Sequence, residues 1–180
     1  MDVKKYIGYY KNVVPYTLCR DIMNYGYNFQ PSAYANHKGN ITNSGGRVLM
    51  DECWVGNKDV YYGDIKASFE RVIKKYSEEF PLFSVQHITD FRINRYPVGG
   101  FMSRHTDNIH HSHGQQYGYP QVSALLYLNN DYKGGEFHVA SKKFEPEKGS
   151  AIIFPSNFMF PHEAKTVTKG TRWSIVTWLM

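Results

Sequence analysis

The stretch Tyr96-Pro-Val-Gly-Gly-Phe-Met-Ser-Arg-His-Thr-Asp107 decides the fold. Pro97, Gly99 and Gly100 mark a turn, and directly after it His105 and Asp107 stand one residue apart. If the run after the turn is a strand, both side chains project from one face, because strand side chains alternate with period 2. An imidazole and a carboxylate on one face form two thirds of the 2-His-1-carboxylate set that suits a non-haem Fe(II) ion. Alone, such a pair is a common accident of composition. The rest of the chain has to supply a third ligand and an anchor for a co-substrate.

Working outward, the chain from residue 87 consists of short β-prone runs, at 87–96, 101–105, 121–128, 136–140, 151–154, 162–166 and 172–179. Turn residues break them at 97–100, 129–135, 145–149 and 169–170. Seven short strands at this spacing predict an antiparallel sandwich or barrel. Before them, residues 3–10 are aromatic and β-prone, and a helix is expected after Pro15, with Leu18, Ile22 and Tyr25 at helical spacing and a stop at Gly26. Residues 30–46 are polar and glycine-rich and read as a mobile loop, equally a substrate lid or plain disorder. A strand is expected over 47–55. Apolar residues at 65, 69, 72, 73, 76 and 80 then form the stripe of an amphipathic helix over 64–80. The expected fold is mainly β with flanking helices (α+β). It forms one domain over 1–180, with helical support over about 1–86 and the β core over about 87–180.

A length of 180 residues is enough chain for one sizeable core. No apolar run approaches the ~20 residues that span a bilayer, and the start, Met-Asp-Val-Lys-Lys-Tyr, lacks the apolar segment of a signal peptide. Cys19 and Cys53 form no CxxC pattern and read as free thiols, so a reducing cytoplasm is the default location. The net charge of +5 comes without a basic tail or stripe. A nucleic-acid partner therefore gains little support, and no membrane partner is expected.

The third ligand candidate is His162, in Phe160-Pro-His-Glu-Ala, after a strand-like run and a turn. Ten residues later comes Arg172. An arginine pointing into a barrel is costly unless it meets an anion, and its planar fork suits a carboxylate. Tyr127 lies in the apolar run Ala124-Leu-Leu-Tyr-Leu-Asn129, and its phenol needs a buried partner that the same carboxylate could provide. Arg172 and Trp178 differ by six residues and share a strand face, whereas Trp173 faces the other way and reads as a core aromatic. His138 alternates with apolar residues and reads as a structural or rim residue. His110, His111 and His113 read as solvated loop histidines.

With His105, Asp107, His162 and Arg172 in this order, the chain resembles the iron(II)/2-oxoglutarate-dependent oxygenases, and among them the prolyl-4-hydroxylase branch. The supporting runs are Tyr96-x-x-Gly99, Tyr127-Leu-Asn129 followed by Gly134-Gly-Glu136, Gly149-Ser-Ala-Ile-Ile-Phe-Pro155, and Lys169-Gly-Thr-Arg-Trp-Ser. The resemblance is strongest over about residues 88–179; Arg47 and the segments before it also occur in matching order.

The resemblance implies a double-stranded β-helix (jelly-roll) core, with His105, Asp107 and His162 as catalytic metal ligands for Fe(II). It implies 2-oxoglutarate and dioxygen as co-substrates, with ascorbate as a possible reductant. Arg172 and Tyr127 would hold the distal carboxylate of 2-oxoglutarate, Tyr96 would line the pocket, and Trp178 and Arg47 would border the substrate. The implied reaction hydroxylates a prolyl residue in a peptide or protein and releases succinate and carbon dioxide. Two departures bear on the substrate. Where the oxygen-sensing prolyl hydroxylases carry a substrate-binding arginine, seven residues before the Tyr127 position, this chain has Pro120. The stretch over 108–119 has no assignable counterpart.

Three alternatives remain at this level. The same cofactors could act on a nucleobase, a free amino acid or a small molecule. The DNA-dealkylating relatives, however, carry a second arginine six residues after the first, where this chain has Trp178. A halogenase is disfavoured because Asp107 occupies the position such enzymes leave small. A non-catalytic jelly-roll binding module is the third, and the presence of all four site residues argues against it.

Overall fold

The computed structural model describes residues 2–32, 34–35, 41–42, 46–108 and 118–180. In chain order, a 3-10 helix, Val3–Tyr6, precedes β1 (Gly8–Tyr10) and α1 (Tyr16–Asn24). The short pieces β2 (Gln30–Pro31), β3 (Tyr34–Ala35), β4 (Ile41–Thr42) and β5 (Val48–Leu49) lead to β6 (Asp51–Val55) and α2 (Tyr62–Glu79). The core strands follow as β7 (Phe91–Tyr96), β8 (Phe101–His105), β9 (Val122–Tyr127), β10 (Lys133–Gly134) and β11 (Phe137–Val139). The chain ends with β12 (Lys142–Phe144), β13 (Ala151–Pro155), β14 (His162–Ala164), β15 (Val167–Lys169) and β16 (Arg172–Leu179).

These strands form two main antiparallel sheets. The large sheet has the order β1-β13-β9-β16-β7-β6-β2, and the small one β12-β11-β14-β8-β5. Sandwiched together, they give the mainly β, jelly-roll architecture expected from the sequence. Alternation gives the large sheet two different faces. Ala124, Leu126, Ile93, Ile175 and Leu179 point outward to Cys19 and Ile22 of α1 and to Ile65, Phe69, Val72 and Tyr76 of α2, forming one core. Leu125, Tyr127, Ile152, Phe154, Val176 and Trp178 point inward to Phe137, Val139 and Ala164 of the small sheet, forming the other. Burying a side chain the size of Leu or Phe stabilises the fold by about 1.5–3 kcal/mol, so the helix stripe over 62–79 is fixed chiefly by this outer core.

Several expectations need correction. Residues 3–6 are helical because the Asp2 carboxylate accepts the Lys4 backbone N–H at 3.1 Å and caps a 3-10 turn, so only Gly8–Tyr10 is a strand. Tyr25 lies past the end of α1 and is 43% exposed; the buried face is carried by Cys19 and Ile22. The single strand expected over 47–55 breaks at Met50, with β5 pairing β8 in the small sheet and β6 pairing β7 in the large one. Residues 86–89 do not extend β7. Gln86 N–H and His87 N–H both donate to Met180 O, and Thr89 N–H donates to Trp178 O, which ties this segment to the end of β16. The run expected over 162–166 ends as a strand at Ala164, and a separate strand, β15, starts at Val167 and pairs β10. β12 was not foreseen. Most of the loop expected over 30–46, and most of the histidine-rich 108–119 stretch with His110, His111 and His113, lie outside the described residues.

Both cysteines are free, Cys19 buried and Cys53 partly so. Among the described residues, no helix is long and apolar enough to cross a membrane.

Candidate active site

β7 and β8 are joined by a tight turn in which Gly100 N–H donates to Pro97 O at 2.8 Å. Gly99, third in the turn, has φ +87°, which a type II turn requires and glycine supplies without strain. Reciprocal bonds with Val167, from Gly99 N–H and to Gly100 O, fix the turn against β15. Tyr96 is thereby placed on the large sheet and His105 on the small one, close together.

Asp107 does not lie on β8, as the period-2 argument supposed; the strand ends at His105 and Asp107 sits in a bend beyond it. The alternation on β8 is broken as well. His162 pairs with His105, but Ala164, two residues on, pairs with Met102, three residues back. One extra residue on β8 makes a β-bulge there. Met102 and His105 therefore both line the inner cleft, which strict alternation forbids.

His105, Asp107 and His162 converge so that one ligand atom from each lies within 4.8 Å of the others. His105 Nε2 is 3.3 Å from Asp107 Oδ1, and His162 Nε2 is 3.3 Å from Asp107 Oδ2. His105 Nδ1 faces Ser103 O at 2.8 Å, and His162 Nδ1 faces Phe160 O at 3.2 Å. A carbonyl can only accept, so each Nδ1 carries hydrogen and each Nε2 can turn a lone pair inward, the arrangement that orients a metal-binding histidine. Burial pushes the Asp107 carboxyl up, but the two imidazoles, His162 foremost, more than reverse this and hold it well below the usual carboxylate range. Burial opposes charge on His105, and the Asp107 carboxylate outweighs it, leaving the pKa raised. Ser123, on β9, donates to Asp107 Oδ2 at 2.6 Å and lies 2.8 Å from the Ser156 hydroxyl. Two nitrogens and one carboxylate oxygen on a shared centre fit the donor set of non-haem Fe(II).

Arg172 opens β16 and is 1% exposed. Its guanidinium carbon lies 4.7 Å from the Tyr96 ring centroid, 5.2 Å from that of Tyr127 and 5.9 Å from that of Phe137. None of its three side-chain nitrogens has a hydrogen-bond partner, nor does Tyr127 Oη. Burial raises the Tyr127 pKa, so its phenol stays protonated and can donate. A buried, permanently charged guanidinium without an acceptor is strongly unfavourable. The chamber thus fits a carboxylate, and with it the distal end of 2-oxoglutarate. Gly135, at φ +65°, borders it; a Cβ there would come within 3.1 Å of Arg172 Cδ.

The cleft between these groups is lined by Tyr96, Leu125, Phe137, Val176 and Trp178. A larger surface depression, around Tyr132, Lys133, Glu136 and Glu145, includes none of the three converging residues. Arg47 is exposed on the turn before β5, where its carbonyl accepts Ser103 N–H at 2.7 Å; it does not line the cleft. Trp173 faces outward and packs edge-on against Phe29. His138 faces the outside of the small sheet, its Nδ1 3.8 Å from Glu163 Oε1. Sequence reasoning passed over Arg92 and Asn94, which share the inner face of β7 with Tyr96, and also Ser123. For the β7 pair the signal was present, since 92, 94 and 96 alternate on one strand.

The sequence profile of the 2OG-Fe(II) oxygenase superfamily matches residues 91–180. Human prolyl 3-hydroxylase 2 is 28% identical over 140 residues, which cover 64% of this chain and 19% of that protein. A PKHD-type hydroxylase of Rippkaea orientalis is 33% identical over 100 residues, 52% of this chain and 44% of that one. The chain thus aligns with less than half the length of either relative. Among solved structures, a Trichoplax adhaerens prolyl hydroxylase in complex with a hypoxia inducible factor oxygen degradation domain peptide fragment superposes with a TM-score of 0.74. Its identity is 18%, over 97% of this chain and 83% of that one, a likeness of fold.

Proposed function

The chain belongs to the 2OG-Fe(II) oxygenase superfamily, and on that premise we propose that it hydroxylates a prolyl residue in a peptide or protein. The carrying observation is that Tyr96 and Phe137, which line the same cleft as the His105/Asp107/His162 cluster, also pack on the buried, acceptor-less Arg172. The prolyl assignment takes its support from the prolyl hydroxylases among the sequence and structural relatives.

When bound, Fe(II) supplies the chemistry by which 2-oxoglutarate and dioxygen become succinate and carbon dioxide while one oxygen atom enters a substrate C–H bond. His105, Asp107 and His162 would hold the metal, and the cleft they line would admit co-substrate and substrate. Arg172 receives the distal carboxylate through its fork, and the protonated Tyr127 donates a further hydrogen bond. Tyr96 and Phe137 flank the oxo acid, while Leu125 and Val176 give the cleft a dry wall. Ser123 fixes the orientation of the Asp107 carboxylate. Trp178 closes the substrate side.

The test is incubation with Fe(II), 2-oxoglutarate and a set of proline-containing peptides, reading succinate and peptide mass. A peptide that gains one oxygen atom as succinate accumulates is the expected result. Succinate release without oxidation of any proline peptide would defeat the prolyl assignment.

A further inference from the structure

A second enclosed guanidinium, that of Arg92, lines the cleft itself. Arg92 and Tyr96 are four residues apart on β7, so both point inward, separated by about 13 Å at roughly 3.4 Å per residue. Arg92 lines the same cleft as His105, Asp107 and Trp178. Its guanidinium carbon lies 5.0 Å from the Trp178 ring centroid and 5.8 Å from that of Trp54. Trp54 is 44% exposed and Trp178 4%, so the cation lies beside one indole at the surface and one inside the cleft. Arg172, by contrast, is buried at the far end behind Tyr96 and Phe137.

Arg92 is poorly satisfied for so enclosed a group. Its side chain is 16% exposed, its Nε is buried without a hydrogen-bond partner, and its nearest anion is Glu52 Oε2, at 3.5 Å from Nη1. That oxygen is already engaged by the Ser32 hydroxyl at 2.7 Å. Arg95, three residues on and facing the other way, shows the contrast: its Nε and Nη2 donate to Asp51 at 3.2 and 2.8 Å. One arginine of the strand has a close carboxylate; the other lies beside two indoles, with an unpartnered Nε and only the longer contact to Glu52. A fork pre-organised in this way fits an incoming carboxylate and repays its desolvation.

We propose that Arg92 is a specificity-determining residue that binds a carboxylate of the primary substrate, next to the carbon presented to the metal centre. The proposal rests on the reading that this cleft admits a proline-containing substrate. The carboxylate comes from an acidic side chain beside the target proline or from a free C-terminus. Glu52 acts as its competitor, holding the guanidinium until the substrate docks.

Four peptides separate the sources: acetyl-Ala-Pro-Asp-Ala-amide, the same peptide with Asn for Asp, acetyl-Ala-Ala-Pro with a free carboxylate, and its amide. Their binding to the Fe(II)- and 2-oxoglutarate-loaded protein is measured by calorimetry without oxygen, and their oxidation by mass with oxygen. One acidic peptide is expected to bind at least about tenfold tighter than its neutral counterpart, equivalent to about 1.4 kcal/mol, and the pair that shows this identifies the source. Arg92→Gln removes the preference, Arg92→Lys restores part of it, and Glu52→Gln enlarges it, a pattern that a purely structural arginine would not give. Equal binding of acidic and neutral peptides, no binding of either acidic peptide, or a preference that survives Arg92→Gln overturns the proposal. Arg92-dependent binding with no oxygen gained by any peptide sinks the prolyl reading instead and leaves the carboxylate site standing.

Discussion

The two faces of the large sheet are made from alternate residues of the same strands, yet they solve opposite problems. On β9, β16 and β7 the outward residues are Ala124, Leu126, Ile175, Leu179, Phe91 and Ile93, and they bury apolar surface against α1 and α2. The inward residues of those strands include Asn94, Tyr127, Arg172 and Ser174, each buried and each with polar atoms lacking a partner. Among the described residues, the outer core leaves only two phenol oxygens, of Tyr10 and Tyr27, without a partner, whereas the inner face leaves a whole guanidinium unpaired and is completed by something bound. Buried polar groups cost free energy unless they are paired, so stability is concentrated on one face and function on the other.

The largest test of that division is Phe69→Ala. Phe69 is fully buried and stacks on Phe91 at 5.3 Å, and its truncation is expected to cost about 3–5 kcal/mol in urea unfolding. Metal affinity of the folded fraction should not change; a parallel loss would mean that the two faces are coupled.

On the inner face, His162→Ala is expected to weaken Co(II) binding, followed by visible absorption, by more than the ~100-fold upper range seen for residues that only support a metal ligand. An unchanged titration would remove His162 from the metal centre. Arg172→Met should abolish 2-oxoglutarate binding and, by replacing a buried unpaired cation with an apolar chain of similar length, leave the ligand-free protein as stable or about 1–4 kcal/mol more stable. Loss of stability in that variant would show that Arg172 already has a partner in the folded chain. The smallest effect is expected for Ser123→Ala, about tenfold weaker metal binding from a less firmly oriented Asp107, with little change in melting temperature.

Legibility in the sequence followed the range of the interactions. The α2 stripe and the runs of β8 and β16 were readable because helix and strand periods are local properties of the chain. The convergence of His105, Asp107 and His162 and the nearness of Arg172 to Tyr127 were anticipated through ordered motifs, since spacing alone does not specify which strands meet. The break at Met50 was hidden because Val48, Leu49 and the residues of β6 are all β-prone, and only pairing decides which sheet each joins. Ser123 was hidden for the same reason: its acceptor lies 16 residues away, across the sandwich. Arg92 was overlooked because a charged residue in a strand ordinarily marks the solvent face, and here the inner face holds the cleft.

The bulge on β8 carries a consequence for how this centre can be lost or gained. Substitution at Arg104 alters an exposed side chain on the outside of the small sheet. Deletion of one residue between Met102 and His105 would leave them two apart, matching the spacing of Ala164 and His162, so strict alternation would keep position 105 on the cleft face. The extra residue is thus not what turns His105 toward the cleft; its pairing with His162 is. A deletion of Arg104 is expected to give a folded protein of near-native circular dichroism that still takes up Co(II); loss of uptake would show that the local twist of the bulge, and not strand alternation, aims the His105 ring.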